Sequence, residues 1–401
     1  MISHAGPDSK AGVRPVLFLV MAVCSAATVA NVYLAQPLLA LIAHGFGTAP
    51  AAAGIVVTCA QLGYAAGILF LVPLGDVRRR RPLLMILLSA TVVALLLAVV
   101  APALSMLAAA TALIGGVTVI PQVLVPLAAE LAPPDRRASV VANVQIGLMT
   151  GIVGSRVIGG AVGELLGWRA VYLLAAVLTA ATGALTVALL PGEERRADTT
   201  GYGRLLVSLP RLLRSEPALA QSCLLHAALF GAYTATWTTL VLVLTHAPYN
   251  FSSAVAGLFG LLGLAGAVAA PWAGRFIDRR GALPVIMAAH CLMLVSAAAY
   301  AFGATALIPM ITAIVLANIA VQWSQIANQA RIFAYLPDAR SRANTVYMVA
   351  VFLSGALCAA LAGLCYSANG WGGVCALQAG LAFIGFAVVP WARRFEKQGE
   401  S

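Results

Sequence analysis

The 401-residue sequence has little charge: Asp, Glu, Lys and Arg make up 9% of it and hydrophobic residues 62%, whereas charged residues are about 25% of an average soluble protein. This excludes an ordinary soluble domain, because one core cannot hold so much apolar surface and lipid must serve as part of the solvent. Lysine is almost missing, with only Lys10 and Lys397. The net charge of +11 is therefore an arginine charge. The arginines form short clusters between long apolar runs, with no basic face carrying exposed aromatics, which argues against a nucleic-acid partner. The seven cysteines lie inside apolar stretches, with no CxxC pair and no Cys/His cluster at ligand spacing, so neither a disulfide framework nor a metal site is expected. GxSxG, HExxH and the glycine-rich phosphate loop ending in Gly-Lys are also missing. No enzyme activity, cofactor or built-in ATP motor is expected.

What is present is a series of apolar runs of about 20 residues, the length that crosses the hydrocarbon. Twelve of them lie near 16–40, 51–73, 83–101, 104–130, 139–163, 170–190, 218–244, 253–273, 283–302, 305–330, 345–367 and 373–391. The first is too long for a signal-peptide core and reads as a retained span. With a cytoplasmic N-terminus, 22 of the 24 Lys and Arg fall on the inner side, leaving Arg169 outside and Arg156 within a span. The positive-inside rule therefore predicts both termini in the cytosol of a multi-pass inner (cytoplasmic) membrane protein. Residues 191–217 form the longest polar connection and separate an N-terminal half, 1–190, from a C-terminal half, 218–401. Within it, 203–214 sets leucines opposite arginines, the pattern of an amphipathic helix on the inner surface.

The halves repeat. Asp76 corresponds to Asp278 at an offset of 202, and Pro134-Asp135 to Pro337-Asp338 and Gly167-Trp168 to Gly370-Trp371 at 203. An all-α fold of two pseudo-symmetric six-helix bundles follows, an architecture in which two bundles rock about a site near the membrane midplane.

Each half places a carboxylate and arginines after its second span: VPLGDVRRRRP at 72–82 and GRFIDRRGALP at 274–284. These loops resemble the signature G-x-L-a-D-R-x-G-R-R of the major facilitator superfamily. Asp76, Arg80 and Arg81 match in the first copy, and Gly274, Asp278, Arg279 and Gly281 in the second. The resemblance implies a cytoplasmic gate formed by Asp76, Arg80, Arg81, Asp278 and Arg279, in which an ionised Asp pairs with Arg and with a helix N-terminus of the other half. Span five, GLMTGIVGSRVIGG, is similar to the antiporter signature of that superfamily at Gly151, Gly159 and Gly160, with Ser155 and Arg156 at the departing positions. Small residues at this spacing predict close helix packing along Gly151, Ser155, Gly159 and Gly160. The string N-x-Y-x-x-Q-P at 31–37 resembles a branch of bacterial facilitators known mainly as exporters of unassigned substrate.

Arg156 is a charge well inside a span, which marks a site by its cost in lipid. A hydrated cavity is expected to include it with Asn31, Tyr33, Gln36, Gln61, Gln122, Tyr233 and Trp237. Asn318, Gln322, Gln325 and Gln329 are spaced 4, 3 and 4, an amide stripe on one face of span ten that is expected to line the same cavity. All 13 acidic residues fall in loops or at span ends. A carboxylate proton relay at the bilayer centre is therefore missing, and the candidates for proton coupling are His226 and Glu130. The expected activity is secondary transport of a small-molecule substrate by alternating access, as a proton-linked exporter. An importer of sugars or organic acids and a non-transporting membrane sensor are the alternatives. Membrane lipid, a small-molecule substrate and protons are the expected partners, and one chain holding both halves could act as a monomer.

Overall fold

The computed structural model describes residues 15–133, 136–191 and 201–399. The Pro134-Asp135 landmark lies outside them. Among the described residues the chain is helical with no strand, and ten helices are long and apolar enough to cross a membrane. One of these, Arg340–Trp391, is two spans folded at Asn369 and Gly370, and the shorter apolar helix Ile55–Phe70 completes twelve.

Prolines explain the breaks in spans one and four, since proline lacks the N–H that would bond the carbonyl four residues back. Span one runs as Pro15–Tyr33 and Ala35–Phe46, broken where Pro37 leaves the Tyr33 carbonyl without its partner. It extends beyond the predicted end at 40, because Leu38, Leu39, Ile42 and Ala43 remain buried against the first half. Span two is Pro50–Ala53 with Ile55–Phe70, span three Arg80–Val99, and span four Leu104–Val117 with Ile120–Leu131, interrupted just before Pro121. Span five is Arg137–Leu166 and span six Trp168–Leu189. Tyr202–Ser215 forms the expected amphipathic helix: Leu209 is buried, and Arg204, Arg211 and Arg214 are exposed. The Tyr202 hydroxyl donates to the Phe70 carbonyl at 2.6 Å, tying this helix to span two.

The second half begins with span seven, Pro217–Thr245, which is buried almost throughout. A helix apolar on all sides belongs at the centre of a bundle. Span eight has three parts, Ser253–Leu258, a 3₁₀ stretch Phe259–Gly263, and Leu264–Arg280. Spans nine and ten are Ala282–Phe302 and Leu307–Tyr335, and residues 340–399 supply spans eleven and twelve. The repeat is visible in the backbone. Gly167 between spans five and six has φ +84°, and Gly370 between eleven and twelve has φ +58°, a region that glycine enters without steric cost. The Trp that follows each, Trp168 and Trp371, is buried. Large apolar side chains such as Leu19, Ile86, Val100, Phe302, Ile308 and Phe383 remain exposed on the outside of the bundle, as a lipid-facing surface requires.

Candidate functional site

Arg156 lies where the halves meet and is 2% exposed. Its Nε donates to Gln36 Oε1 of span one at 3.2 Å, and its Nη2 to the Tyr233 hydroxyl of span seven at 3.3 Å. The guanidinium carbon stands 4.1 Å from the Trp237 ring centroid and 5.5 Å from that of Tyr33. Tyr233 passes its own proton to Asn318 Oδ1 of span ten at 3.1 Å. Spans one, five, seven and ten are thus joined through one cation.

The cation is incompletely satisfied. Arg156 Nη1 is buried without a hydrogen-bond partner, and no carboxylate among the described residues forms an ion pair with Arg156. Cation–π contacts and carbonyl dipoles offset part of the desolvation of a buried guanidinium, and a counter-anion would offset more. Trp237 Nε1 and both amide atoms of Gln61 are likewise buried without partners. At Arg156 an unused buried donor beside the Trp237 ring can pair with a ligand group bearing negative charge.

Span eight makes this arrangement possible. Its glycines at 257, 260, 263 and 266 recur every third residue, the period of a 3₁₀ helix, which aligns them on one side. A methyl group on Gly260 would lie 2.7 Å from Arg156 Cβ, and one on Gly257 2.5 Å from the Arg156 carbonyl oxygen. Farther along, Gly266 faces Asn318 and Gln322 of span ten instead. Spans five and eight are therefore closest on the side away from the arginine clusters. There Gly160 faces the Ser253 carbonyl, and Glu164 Oε2 accepts the Ala254 N–H at 2.7 Å. From the sequence alone these glycines have no assigned role, although their spacing of three is visible there.

The other expected site residues divide. Gln122 donates to the Tyr64 hydroxyl at 3.3 Å, and the Tyr64 ring meets Phe352 of span eleven edge-on. Gln322 and Gln325 are half-buried, and Gln329 donates to Asn344 Oδ1 at 3.2 Å, linking spans ten and eleven. Asn31 donates its amide to Thr118 and Thr179 of spans four and six, within its own half. Gly151 packs against the Ala26 backbone of span one and Gly159 against Pro37, while the Ser155 hydroxyl bonds the Ile152 carbonyl.

On the arginine-rich side, Arg80 is buried and forks onto Glu130 at 2.8 and 2.9 Å, with its Nε on the Gly75 carbonyl at 3.2 Å. Both partners belong to the first half, so this pair fastens span three to span four and does not itself bridge the halves. The side chain of Asp76 lies outside the described residues; its backbone is in the short helix Leu74–Val77. Arg81 is half-buried, beside Leu127 and Leu131. Asp278 and Arg279 are exposed on the last turn of span eight. His226 Nδ1 is 2.9 Å from Ser324 Oγ, and its ring stacks on Tyr347. Arg331, expected in an inner loop, lies inside span ten and is buried, bonding Gln221 at 2.7 Å, Ser222 at 3.1 Å and the Ala218 carbonyl at 3.2 Å. The helix continues past the predicted boundary because Gln221 and Ser222 supply acceptors for that charge.

Two repeated six-span bundles with a buried, partly unpaired cation between them define a multi-pass membrane transporter, not an enzyme. The family model of the Major Facilitator Superfamily matches residues 21–321, and the chain belongs to that superfamily. The sequence is 44% identical to "Probable transporter SCO4007" of Streptomyces coelicolor, over 96% of this chain and 89% of that protein. It is 38% identical to "Uncharacterized transporter YgaY" of Escherichia coli O157:H7, over 96% and 97% of the two chains. Among solved structures, the nucleoside transporter NupG superposes with a TM-score of 0.73 at 16% identity, covering 93% of this chain and 99% of that one, a likeness of fold.

Proposed function

We propose that this chain exports small organic anions from the cytosol across the bacterial inner membrane by alternating access, the halves 1–190 and 218–401 rocking about Arg156. The observation that carries the reading is the buried Arg156 Nη1, which among the described residues has neither hydrogen-bond partner nor counter-ion. An anionic group of the cargo completes that site, and Tyr33 and Trp237 offer ring faces to its apolar body. Charge distribution supports a cytoplasmic location for both termini and for the amphipathic helix. The glycine face of span five, similar to an antiporter signature, supports export. Linkage to protons supplies the driving force, since the chain has no nucleotide-binding loop. Of the coupling candidates, Glu130 is held by Arg80 and His226 by Ser324, each within its own half.

Binding tests the anion site directly. A ligand that binds the folded state raises its melting temperature by mass action. Purified protein screened against organic carboxylates, phosphates and sulfonates is expected to be stabilised by at least one of them, with the shift lost in Arg156→Gln. Stabilisation that persists in the variant would contradict the assignment.

A further inference from the structure

The contact between spans five and eight ends on a charge. Arg156, Gly160 and Glu164 recur every fourth residue and so share one face of span five, with Arg156 and Glu164 about 12 Å apart along the axis. Span eight covers that face. Gly257 and Gly260 lie against Arg156, Ser253 lies against Gly160, and the Ala254 N–H points into the Glu164 carboxylate.

From this geometry we propose that Glu164 is the latch of the outer gate and the proton-binding group through which the external medium opens it. The inference rests on the alternating-access reading above. The first turn of span eight has backbone donors without helical partners. Ser252 Oγ accepts one, from Val255 at 3.3 Å, and Glu164 of the opposite half accepts another, from Ala254 at 2.7 Å. An ionised carboxylate here gains a charge-assisted hydrogen bond and the attraction of the positive helix end. Protonation removes the charge and leaves a weaker neutral bond across the seam.

Glu164 is exposed, so it exchanges protons with the medium without a conducting path. The titratable groups on the surrounding segments are engaged elsewhere or point away from a bond with it. Arg169 lies over the Trp168 ring and donates to the Ala101 carbonyl, His246 Nδ1 meets the Leu242 carbonyl, and Tyr249 donates to the Gly303 carbonyl. His44, on the last turn of span one, is exposed and makes no hydrogen bond with Glu164. Ser252, Ser253 and Ala254 bring no charge. Acid outside therefore loosens the outer seam, the direction in which an inward proton gradient would drive an exporter, and no carboxylate at the bilayer centre is needed.

The test requires no cargo. Leu165 and Leu258 are 80% and 49% exposed on spans five and eight. Both are replaced by cysteine and spin-labelled, with the exposed native Cys291 changed to alanine, and the interspin distance is recorded in nanodiscs. Measurements at pH about 7.5 and about 4.5 run from the ionised carboxylate to about the midpoint of an ordinary glutamate titration. The ratio of separated to closed populations is expected to rise about twofold at the lower pH, the part of a roughly tenfold effect, one charge-assisted bond reduced to a neutral one, that half-titration delivers. Glu164→Gln is expected to give the full, roughly tenfold higher ratio at both pH values. A Gln variant that keeps the parent's pH response, or a parent without one, would overturn the proposal. Failure of anion binding would instead strike the cargo reading and leave these distances unaffected.

Discussion

Arg156 Nη2 stands 3.3 Å from the Tyr233 hydroxyl, joining span five of the first half to span seven of the second. Under the proposed function the cargo anion takes the unused Nη1 of the same guanidinium that Gln36 and Tyr233 hold. Cargo binding and the tie between the halves are then coupled at one side chain.

Supplying the missing counter-ion from within should block the site. Gln36→Glu is nearly isosteric and places a carboxylate where Arg156 Nε already donates at 3.2 Å. The variant is expected to melt higher than the parent and to lose tenfold or more in anion affinity, about 1.4 kcal/mol. Thermal melts with and without the stabilising anion measure both effects. A variant that binds the anion as the parent does would separate Gln36 from the site.

Close approach of span eight is the second requirement. Gly260→Ala puts a methyl group 2.7 Å from Arg156 Cβ, an overpacking expected to cost about 1–3 kcal/mol and to displace the guanidinium. Gly274→Ala meets nothing within 4 Å and is the control. Its melting temperature should match or exceed the parent's, since alanine favours the helix. Equal behaviour of the two variants would show that the seam has slack.

The Arg80–Glu130 pair makes a third prediction. Arg80 is buried and Glu130 half-exposed, with side-chain exposures of 4% and 50%. Glu130→Gln keeps one acceptor but takes the Glu130 charge away from a buried cation, an expected loss of about 1–3 kcal/mol. The melting temperature of the purified variant measures it. A neutral effect would mean that other groups around Arg80 carry the charge.

Much of the fold was readable in the sequence, because lipid imposes a length on each apolar run and places the arginines between them. The repeat was readable because Gly167 and Gly370 answer a backbone requirement that other residues meet at a cost. Arg156 stood out as an isolated charge in an apolar run. Less legible were features that depend on a neighbour. The bonds of Asn31 to Thr118 and Thr179 join residues 87 and 148 positions apart and are not visible in the sequence. Arg331 looked like a loop charge because its acceptors, Gln221 and Ser222, lie more than a hundred residues away in the chain. Span eight's glycines were ambiguous because small residues serve equally for packing, bending or approach to a ligand.

Proteoliposome transport under an imposed pH gradient tests the central claim most directly. The cargo is the anion that stabilises the parent protein, compared with its neutral amide analogue. The account predicts gradient-dependent movement of the anion by the parent, little movement of the amide, and loss of anion transport in Arg156→Ala. Anion transport by Arg156→Ala at the parent's rate, with the variant folded and inserted, would contradict it.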